Sequence, residues 1–600
     1  MMKNLTKYLL VLMVPLMWLN GHGQEDALYN KVIHEYTLND DGSSSFREYK
    51  EVKLMSHMAF HRLYGETFVI YDPRYQELKI NEAYTIMKDG KRVEVPGNAF
   101  NEVLPRDAAN AAPYNHLREM VITHTGLEVG STIYLDYTII TKEGYYSVFM
   151  GEENIKDIIP IKEKQIIINI PADLGLQYKM LNLRTAPEIK DGKDIKTYTF
   201  TFREVKPYYG GWGVDHTQLP HLFFSAAKDF ERAYFPFVAQ DAFTFQASPE
   251  MIVALQKIKD ENNGDLQTAL AIQKMVVNEI GTWNLALEYT GFKCRSPHEV
   301  WHSNAGTVIE KTILLATLLR QAGLSAVPVA VIPEKYYDQK VGSLYAFRDF
   351  VVQLKVDGDF TYLSARHTQS QDMAFDLAGD KLIVLDGAIE SIKAYDIAYK
   401  NAEIIYNVEG MMDDSLNLTA RAEIGLNGSV NPYFSLRQDT SYARRYFPGA
   451  QKAELMTLEK EKSRFRLDVE KKGAVKSLEG YMFLDLPAVP NGISSWGYSY
   501  IEKDREEGIK LPELIHEQYH FKIEVPAGYE LISPSTITII DNKTGRVAIN
   551  IQKEGSIISC SREIKINQDY INPGDFAAFN ELWEAWMNHR FKSLVLKKTD

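Results

Sequence analysis

The chain contains little cysteine: only Cys294 and Cys560 occur in 600 residues. A disulfide framework is therefore excluded, and because the two lie far apart in different predicted domains, we expect them not to pair. No cluster of lysine and arginine with interleaved aromatic residues is present, and the net charge is -13, which disfavours nucleic acid as a partner. Beyond the N-terminus, no apolar run is long enough to span a bilayer.

The first residues, 1–23, follow the pattern of a secretory signal peptide. Lys3 and Lys7 form a basic start, residues 8–19 are an apolar core, and Gly21-His22-Gly23 offers small residues for cleavage. The apolar core is too short to span a membrane, and no cysteine follows it that could carry a lipid anchor. The sequence thus predicts an exported protein, periplasmic or secreted, without a membrane span.

Composition indicates a folded, β-rich chain of several domains. Hydrophobic residues make up 45% and aromatic residues 12%, led by 35 tyrosines, which suits full-size cores and half-buried strands. This length corresponds to about three or four ordinary domains. The predicted fold class is multidomain α+β, with a β-sandwich over 24–205, a linker over 206–224, an α+β domain over 225–400 and a β-rich domain with a closing helix over 401–600.

Local patterns place individual elements within these domains. Alternation of apolar and polar residues over 131–139 predicts a strand with one buried face. Ser248-Pro249 is a helix start signal, and Gly323 is a helix end signal. Helices are predicted at 265–280, 308–321, 450–465 and 575–596. The second of these is apolar nearly all round, so we expect it to be buried.

The segment Gly306-Thr307-Val308-Ile309-Glu310-Lys311 carries the main functional signal. It opens a leucine-rich helix that Ala322-Gly323 closes, and the apolar run 327–332 follows. This order resembles the transglutaminase-like, papain-type domain, in which Gly-x-Cys begins a buried helix and a strand comes next. The resemblance implies an α+β domain with a thiol active site at the start of that helix.

The residues expected to do the chemistry in such a domain are replaced. Where the family has cysteine, histidine and aspartate, this sequence has Val308, Asp349 and Ser364. In a thiol triad the thiolate attacks, the histidine transfers the proton, and the carboxylate orients the imidazole. Valine offers no lone pair, and aspartate cannot become a cationic partner. The sequence therefore predicts a catalytically degenerate domain, a pseudoenzyme without a cofactor.

A binding role is the interpretation that this degeneracy favours. The family's cleft receives an extended peptide or acyl group, so the resemblance implies a binding or scaffolding module for a peptide, a glycan or an envelope protein. Such a module is expected to keep an aromatic-lined cleft near Trp283, Trp301 and Tyr362. Cys294, fourteen positions before Val308, is too far along the chain to replace the nucleophile.

A second resemblance covers most of 30–205. The segments Tyr64-Gly65 and Ile70-Tyr71-Asp72-Pro73 are similar to an uncharacterised β-domain that precedes transglutaminase-like domains in many exported proteins of the Bacteroidetes. Its motifs carry no chemistry. The resemblance implies a β-sandwich in front of the degenerate domain.

A zinc metallopeptidase is the first alternative. His298-Glu299-Val300-Trp301-His302 fits the H-E-x-x-H pattern, in which both histidines bind zinc and Glu299 acts as the base. The context argues against this interpretation, because Ser296-Pro297 begins a helix that residues 303–306 must end within about two turns. No third ligand lies at the expected spacing.

A hydrolase with an unrecognised site in the same cleft is the other alternative. Glu310 and Asp349 are two carboxylates that could converge there as acid and base, in the manner of a glycoside hydrolase. A serine with an adjacent base would serve equally well. These alternatives require particular side chains to meet in one pocket.

Overall fold

A computed structural model of the chain describes residues 26–208, 210–387, 392–396, 401–498, 505–533 and 535–599. The predicted signal peptide, 1–23, lies outside the described residues. The fold is multidomain α+β, as predicted: a large mixed sheet at the N-terminal end, a helical centre with its own sheet, and C-terminal sheets with a helix close to the end. No helix among the described residues is long and apolar enough to cross a membrane.

The N-terminal region, 26–225, is built of strands. Its strands are β1 (Ala27–Leu38), β2 (Ser44–Leu54), β3 (Glu66–Tyr71), β4 (Gln76–Ile86), β5 (Arg92–Glu94), β6 (Phe100–Val103), β7 (Arg118–Thr123), β8 (Thr132–Thr141), β9 (Met150–Asn154), β10 (Ile161–Pro171), β11 (Gln177–Leu181), β12 (Glu188–Asp191), β13 (Ile195–Val205) and β14 (His221–Ser225). Eight of them form one mixed sheet, β12-β13-β10-β1-β2-β8-β4-β5. The strand predicted from the alternation over 131–139 is β8.

Two smaller sheets, β3-β7-β6 and β11-β14-β9, pack against this large sheet. Val69 and Ile122 of the first smaller sheet share a core with Leu135 of β8. Phe224 of the second smaller sheet packs with Phe200 of β13 in another core. Alternating strands bury one face in this way, which gives the layered packing typical of a sandwich.

The predicted linker, 206–224, is structured at its C-terminal end. Residues from His221 onward form β14, which pairs with β9 through Phe224 and Gly151 and with β11 through Leu222 and Met180. All five residues of β14 are buried. The prediction of a linker is therefore wrong for these residues, because their apolar side chains complete the second smaller sheet.

The central region, 230–396, combines helices with a five-stranded sheet. Its elements are α1 (Phe230–Val238), α2 (Pro249–Glu261), α3 (Asp265–Glu279), β15 (Gly281–Trp283), α4 (Pro297–Ser303), β16 (Ala305–Thr307), α5 (Val308–Gln321), β17 (Ser325–Pro333), β18 (Asp349–Val356), β19 (Asp359–Leu363), β20 (Asp380–Val384) and β21 (Ala394–Asp396). The sheet has the order β19-β18-β17-β20-β21, and one of its faces packs against α5.

The helix predictions for this region are confirmed. Ser248 accepts a hydrogen bond from the Met251 amide at the start of α2, and α3 coincides with the predicted 265–280 to within one residue. Helix α5 spans the predicted range, and its residues from Ile309 to Leu319 are all buried. Gly323 follows it with a φ of 93°, which ends the helix without strain.

The C-terminal region, 402–598, is again mainly strands. Its elements are β22 (Ala402–Met412), β23 (Leu418–Asn427), α6 (Tyr433–Gln438), β24 (Ala450–Leu458), β25 (Lys462–Lys471), β26 (Lys476–Leu478), β27 (Tyr481–Asp485), β28 (Ile509–Lys510), β29 (Ile515–Glu524), β30 (Tyr529–Leu531), β31 (Thr536–Asn542), β32 (Gly545–Glu554), β33 (Ile557–Ile566), β34 (Tyr570–Ile571), α7 (Phe576–Met587) and β35 (Ser593–Lys598). Eight strands form the sheet β24-β25-β23-β22-β29-β33-β32-β31.

Two helix predictions for this region fail. The predicted helix at 450–465 is the strand β24 and the start of β25, and both join the large C-terminal sheet. The predicted helix at 575–596 stops at Met587, after which the chain turns and Ser593–Lys598 pairs with β27 and β30. In both places the sheet supplies backbone partners that outweigh the helix preference of the sequence.

Candidate functional site

Val308 is the first residue of α5, at the helix start where the resemblance predicts a nucleophile. The backbone just before Val308 is fixed, because the Thr307 amide donates a hydrogen bond of 2.8 Å to the Glu310 carboxylate. The Val308 side chain is half-buried and faces a cleft of about 360 Å³. An aliphatic group therefore occupies the wall of an accessible cleft at the positive end of a helix dipole.

The cleft, here called the Val308 cleft, is lined by both polar and apolar side chains. The lining residues are Glu152, Trp283, Asn284, Leu285, Ala286, Leu287, Glu288, Phe292, Thr307, Val308, Ile309, Leu344, Tyr345, Phe347, Arg348, Asp349, Phe350 and Arg366. Trp283 belongs to it as predicted. Trp301 does not line it, and Tyr362 packs with Val329 and Leu382 in a separate core, so these two predictions are wrong.

Asp349 stands at the start of β18 and also lines the cleft. Its carboxylate forms an ion pair with the Arg366 guanidinium, which extends from the segment just after β19. The other carboxylate oxygen accepts a hydrogen bond of 2.8 Å from the Phe350 amide. The position predicted to correspond to the family's histidine thus holds a carboxylate that is neutralised by a neighbouring cation.

Ser364 lies just beyond the end of β19 and is 2% exposed. Its hydroxyl oxygen accepts hydrogen bonds from the Arg366 amide (3.1 Å) and the His367 amide (3.4 Å), and lies 3.3 Å from the His367 Nδ1 atom. A serine next to an imidazole is the pair that a hydrolase would need. This oxygen is, however, buried against backbone amides, and neither residue lines the Val308 cleft.

Glu310 is not a free catalytic carboxylate, because it is buried and fully bonded. It pairs with Arg295 at 2.9 Å, accepts hydrogen bonds from the Arg295 amide and the Thr307 amide, and accepts one of 2.5 Å from the Tyr114 hydroxyl. Glu310 does not line the Val308 cleft, whereas Asp349 does. The predicted convergence of Glu310 with Asp349 as an acid and base in this cleft is therefore wrong.

Cys294 precedes Arg295 and lies near the same carboxylate. Burial, together with the negative charge of Glu310, raises the pKa of its thiol well above the usual value. A thiol with a raised pKa stays protonated at neutral pH and is a weak nucleophile. Cys294 and Cys560 are both free, and Cys294 does not line the Val308 cleft.

The two histidines of the H-E-x-x-H motif lie on the exposed side of α4. The rings of His298 and His302 are nearly parallel, with centroids 6.3 Å apart. Glu299 accepts hydrogen bonds from the Ser296 amide and hydroxyl, each of 2.8 Å, so this carboxylate caps the helix. Among the described residues, no group of three or more His, Cys, Asp or Glu side chains is arranged to hold a metal ion. Metallopeptidase activity remains a hypothesis without an identified third ligand.

A second cavity of about 350 Å³, here called the tyrosine cavity, lies between the N-terminal strands and the central region. Its lining residues are Tyr36, Ser44, Ser45, Phe46, Phe68, Val69, Ile70, Gln76, Tyr137, Ile139, Thr141, Tyr146, Phe149, Met150, Gly151, Glu152, Glu288, Tyr289 and Tyr345. Glu152, Glu288 and Tyr345 also line the Val308 cleft, so the two cavities adjoin. Neither this cavity nor its connection to the cleft follows from the sequence, because both depend on the packing of distant strands.

Two family models match parts of the chain. Residues 40–209 match a domain of unknown function with a solved structure (DUF3857), and residues 481–596 match another domain of the same description (DUF3858). The first match covers most of the segment predicted to resemble an uncharacterised β-domain. Neither description assigns an activity, and no protein of curated function matches the chain.

One solved structure is similar over nearly the whole chain. It is a crystal structure from Parabacteroides distasonis, described as a candidate protease, with 27% identity and a TM-score of 0.74. The alignment covers 95% of this chain and 99% of that one, so the two share the multidomain fold.

Two further solved structures match much more weakly. A candidate cysteine protease from Cytophaga hutchinsonii is 10% identical with a TM-score of 0.19, over 59% of this chain and 86% of its own. An M1 zinc metallopeptidase from Deinococcus radiodurans is 13% identical with a TM-score of 0.17, over 34% of this chain and 43% of its own. Scores this low give no support to a thiol or a zinc mechanism.

Proposed function

We propose that this chain is a catalytically degenerate, transglutaminase-like exported protein whose Val308 cleft binds an extended peptide or glycan ligand in the cell envelope. The observation that carries the proposal is the aliphatic side chain of Val308 at the start of α5, in the wall of an accessible cleft. A helix start would lower the pKa of a thiol there, but valine has no group that can attack a carbonyl.

The neighbouring groups support loss of catalysis rather than its relocation. Asp349 is paired with Arg366, and the Ser364 hydroxyl accepts hydrogen bonds from backbone amides. The Cys294 thiol is protonated at neutral pH because burial and the charge of Glu310 raise its pKa. None of these groups is presented to the cleft as an activated nucleophile with a base beside it.

The cleft keeps features that suit binding. Trp283, Phe292 and Phe347 offer apolar surface, while Arg348 and Arg366 add charged groups at the same wall. Ligand sites typically combine apolar walls with polar groups that fix the orientation of the ligand, and this cleft has both. The similarity to a structure described as a candidate protease is consistent with a polypeptide ligand.

The proposed location follows from the N-terminal 23 residues, which have the pattern of a secretory signal. We infer that the mature protein acts in the periplasm or outside the cell, where it would meet peptides, glycans and other envelope proteins. Fractionation of cells that produce the full chain tests this part, and recovery of the protein in the cytoplasm with residues 1–23 intact would contradict it.

An activity assay tests the loss of catalysis. The purified protein is incubated with casein and with tetra-alanine, with and without a chelator, next to papain as a positive control. We expect no cleavage and no crosslinked product by mass spectrometry. The control variant is Val253→Trp, at a position on α2 that is 72% exposed. Cleavage by the wild type and by this control that is lost in Val308→Trp would contradict the proposal.

A binding assay tests the cleft. Tetra-alanine and the neutral tetrasaccharide cellotetraose are titrated into the wild type, Val308→Trp and Val253→Trp by calorimetry. We expect at least one probe to bind the wild type and the Val253→Trp control, and to bind Val308→Trp about tenfold more weakly or worse, because the indole fills the cleft. Equal affinities of all three proteins for a bound probe would refute a ligand role for this cleft, and no binding of either probe would refute that role for short alanine peptides and neutral tetrasaccharides.

A further inference from the structure

Glu288 lies where the Val308 cleft and the tyrosine cavity meet, since it lines both. It belongs to the short helical turn Leu287–Thr290 and is partly buried. Its backbone carbonyl is used, because it accepts hydrogen bonds from the Tyr146 hydroxyl (3.4 Å) and the Gly291 amide (3.1 Å). The backbone of this turn is thus fixed, and its one carboxylate stands at the junction.

The carboxylate of Glu288 has no ion-pair partner among the described residues, although the charge of Arg348 acts on it from farther away and partly offsets the rise of its pKa. Apart from its own backbone amide, no hydrogen-bond donor or cation there bonds to it. The neighbouring Glu152 differs, because it forms an ion pair with Arg348, and one of its carboxylate oxygens lies 3.3 Å from the His221 Nδ1 atom. Arg348 is therefore bonded to Glu152, and the carboxylate of Glu288 is left without an ion-pair partner of its own.

Aromatic rings line the two cavities together with Glu288. Phe292 lies 6.4 Å from Tyr146 and 5.2 Å from Tyr345 between ring centroids, and these three rings border the two cavities. The Tyr146 hydroxyl donates to the Glu288 carbonyl, and burial together with the charge of Glu288 raises the pKa of the Tyr146 and Tyr289 phenols. The faces and edges of such rings attract cations as well as apolar groups.

We propose that this junction binds the ammonium group of a peptide ligand, with Glu288 as its counter-ion and the rings of Tyr146, Phe292 and Tyr345 around it. The inference rests on the proposed function, since it specifies the ligand class that the same cleft receives. The remainder of the peptide would extend along the Val308 cleft, which adjoins the junction at Tyr345 and Glu152.

Charge favours an ammonium group over a neutral sugar or an anion. A partly buried carboxylate without a partner is costly, and burial together with the charge of Glu152 raises the pKa of Glu288. A cationic ligand compensates this carboxylate, whereas a neutral glycan leaves it unpaired and an anion is repelled. The net charge of -13 also attracts cations to the protein as a whole.

The test uses three peptides of equal length. Tetra-alanine has a free N-terminal ammonium group, N-acetyl-tetra-alanine has none, and N-acetyl-Ala-Ala-Lys-Ala carries its ammonium group on a side chain. Each is titrated into the full-length protein, into Glu288→Gln and into Glu279→Gln, which removes an exposed carboxylate from the end of α3. The small diamine cadaverine serves as a probe of the junction alone, and cellotetraose as the neutral glycan probe.

We expect wild-type protein and Glu279→Gln to bind at least one ammonium-bearing peptide about tenfold or more tightly than the acetylated peptide, because charged hydrogen bonds and cation–π contacts are lost with the amine. Glu288→Gln is expected to abolish this preference. Tighter binding of free tetra-alanine identifies an N-terminus as the ligand group, and tighter binding of the lysine peptide identifies a side chain.

Several outcomes would overturn the inference, and they differ from failure of the proposed function. Equal binding of the charged and acetylated peptides, or binding of cellotetraose alone, leaves a ligand cleft but no ammonium site. Binding of cadaverine that requires Glu288, with no binding of any peptide, supports the junction while refuting peptide binding by the cleft. No binding of any probe refutes both. The comparison of peptides on wild-type protein needs no variant, so a misfolded Glu288→Gln does not prevent a result.

Discussion

The carboxylate of Asp349 at the start of β18 is paired with the guanidinium of Arg366, which follows the neighbouring strand β19. The two strands are antiparallel, with Val352 opposite Leu363, so continuation of this register brings residues 349 and 366 together. A position expected to serve proton transfer is occupied by a surface ion pair. The chemical consequence is the loss of a proton-transfer group, and the energetic one concerns the stability of the sheet edge.

The pair should contribute little to stability. Asp349 is 27% and Arg366 44% exposed, so water and salt screen their attraction. A double-mutant cycle with Asp349→Ala and Arg366→Ala, measured by urea unfolding, is expected to give a coupling energy below about 1 kcal/mol. A coupling of several kcal/mol would mean that the pair holds the sheet edge together.

Restoring two residues of the triad should not restore catalysis. Val308→Cys with Asp349→His supplies a thiol and an imidazole, but Ser364 still accepts backbone hydrogen bonds and cannot orient the ring. We expect the double variant to hydrolyse casein no faster than wild type, measured by release of labelled peptides. Turnover that iodoacetamide abolishes would show that the remaining framework is still competent.

The hydrogen bond from Tyr114 to Glu310 should matter much more than the exposed ion pair. It reaches a buried carboxylate from a distant part of the chain, at 2.5 Å. Tyr114→Phe removes only the hydroxyl, and a lost hydrogen bond to a buried charge costs about 1.5–3 kcal/mol. Tyr178→Phe, at a position 36% exposed, is the matched control. Equal free energies of unfolding for the two variants would contradict this expectation.

Both thiols should be unreactive in the folded protein. Burial and Glu310 raise the pKa of Cys294, and burial raises the pKa of Cys560 to about 11. Since the thiolate is the reacting form, we expect almost no labelling by Ellman's reagent at pH 7.5 in buffer and two labelled thiols per chain in denaturant. Rapid labelling of one thiol in the native protein would indicate an activated cysteine and would reopen the question of thiol chemistry.

Acidification should weaken the N-terminal region through His124. This histidine is 4% exposed, and its ring lies 3.0 Å from the Thr67 hydroxyl. Burial and then the charge of Lys50 lower its pKa from 6.5 to about 4. Between these values the unfolded chain binds the proton and the folded chain does not, so the free energy of unfolding falls as the pH drops from 6.5 to 4.

The His124 contribution can be isolated by comparison of two substitutions. His124→Gln is expected to flatten the pH dependence of the free energy of unfolding between pH 6.5 and 4, while His520→Gln, at an exposed position on β29, leaves it unchanged. Thermal unfolding at half-unit steps of pH measures both. Identical slopes for wild type and His124→Gln would show that other groups determine the acid response.

The fold was predictable where the local pattern and the burial agreed. Helix α5 is apolar nearly all round, and its sequence therefore indicated both its type and its burial. The segment 450–465 was misassigned because alanine, glutamate, leucine and lysine favour helices locally. Its place in the sheet depends on pairing with β25, and β25 in turn pairs with β23. Such partners lie elsewhere in the chain and leave no periodic signal in the segment itself.

The site was predictable only in part for the same reason. The position of Val308 at a helix start followed from the sequence around Gly306. The partners of the polar residues did not follow from the sequence. Arg295 binds Glu310 from fifteen residues away along the chain, and Tyr114 binds it from 196 residues away. Arg366, two residues after Ser364, offered a weak signal, because a hairpin that turns at Asp357-Gly358 places it opposite Asp349. The junction at Glu288 depends on the packing of two regions, which no local pattern reveals.

The contact of Tyr114 with Glu310 limits how this protein can be divided into fragments for expression. Ala108, Ala111, Tyr114 and Leu117 pack with Leu285 of the central region in one apolar cluster. A fragment that begins after residue 205 would expose the Leu285 side of this cluster to water. It would also remove the Tyr114 hydroxyl, which donates to the buried Glu310 carboxylate. We expect such a fragment to aggregate when expressed alone. We therefore expect the central region to fold only together with the N-terminal region that covers it.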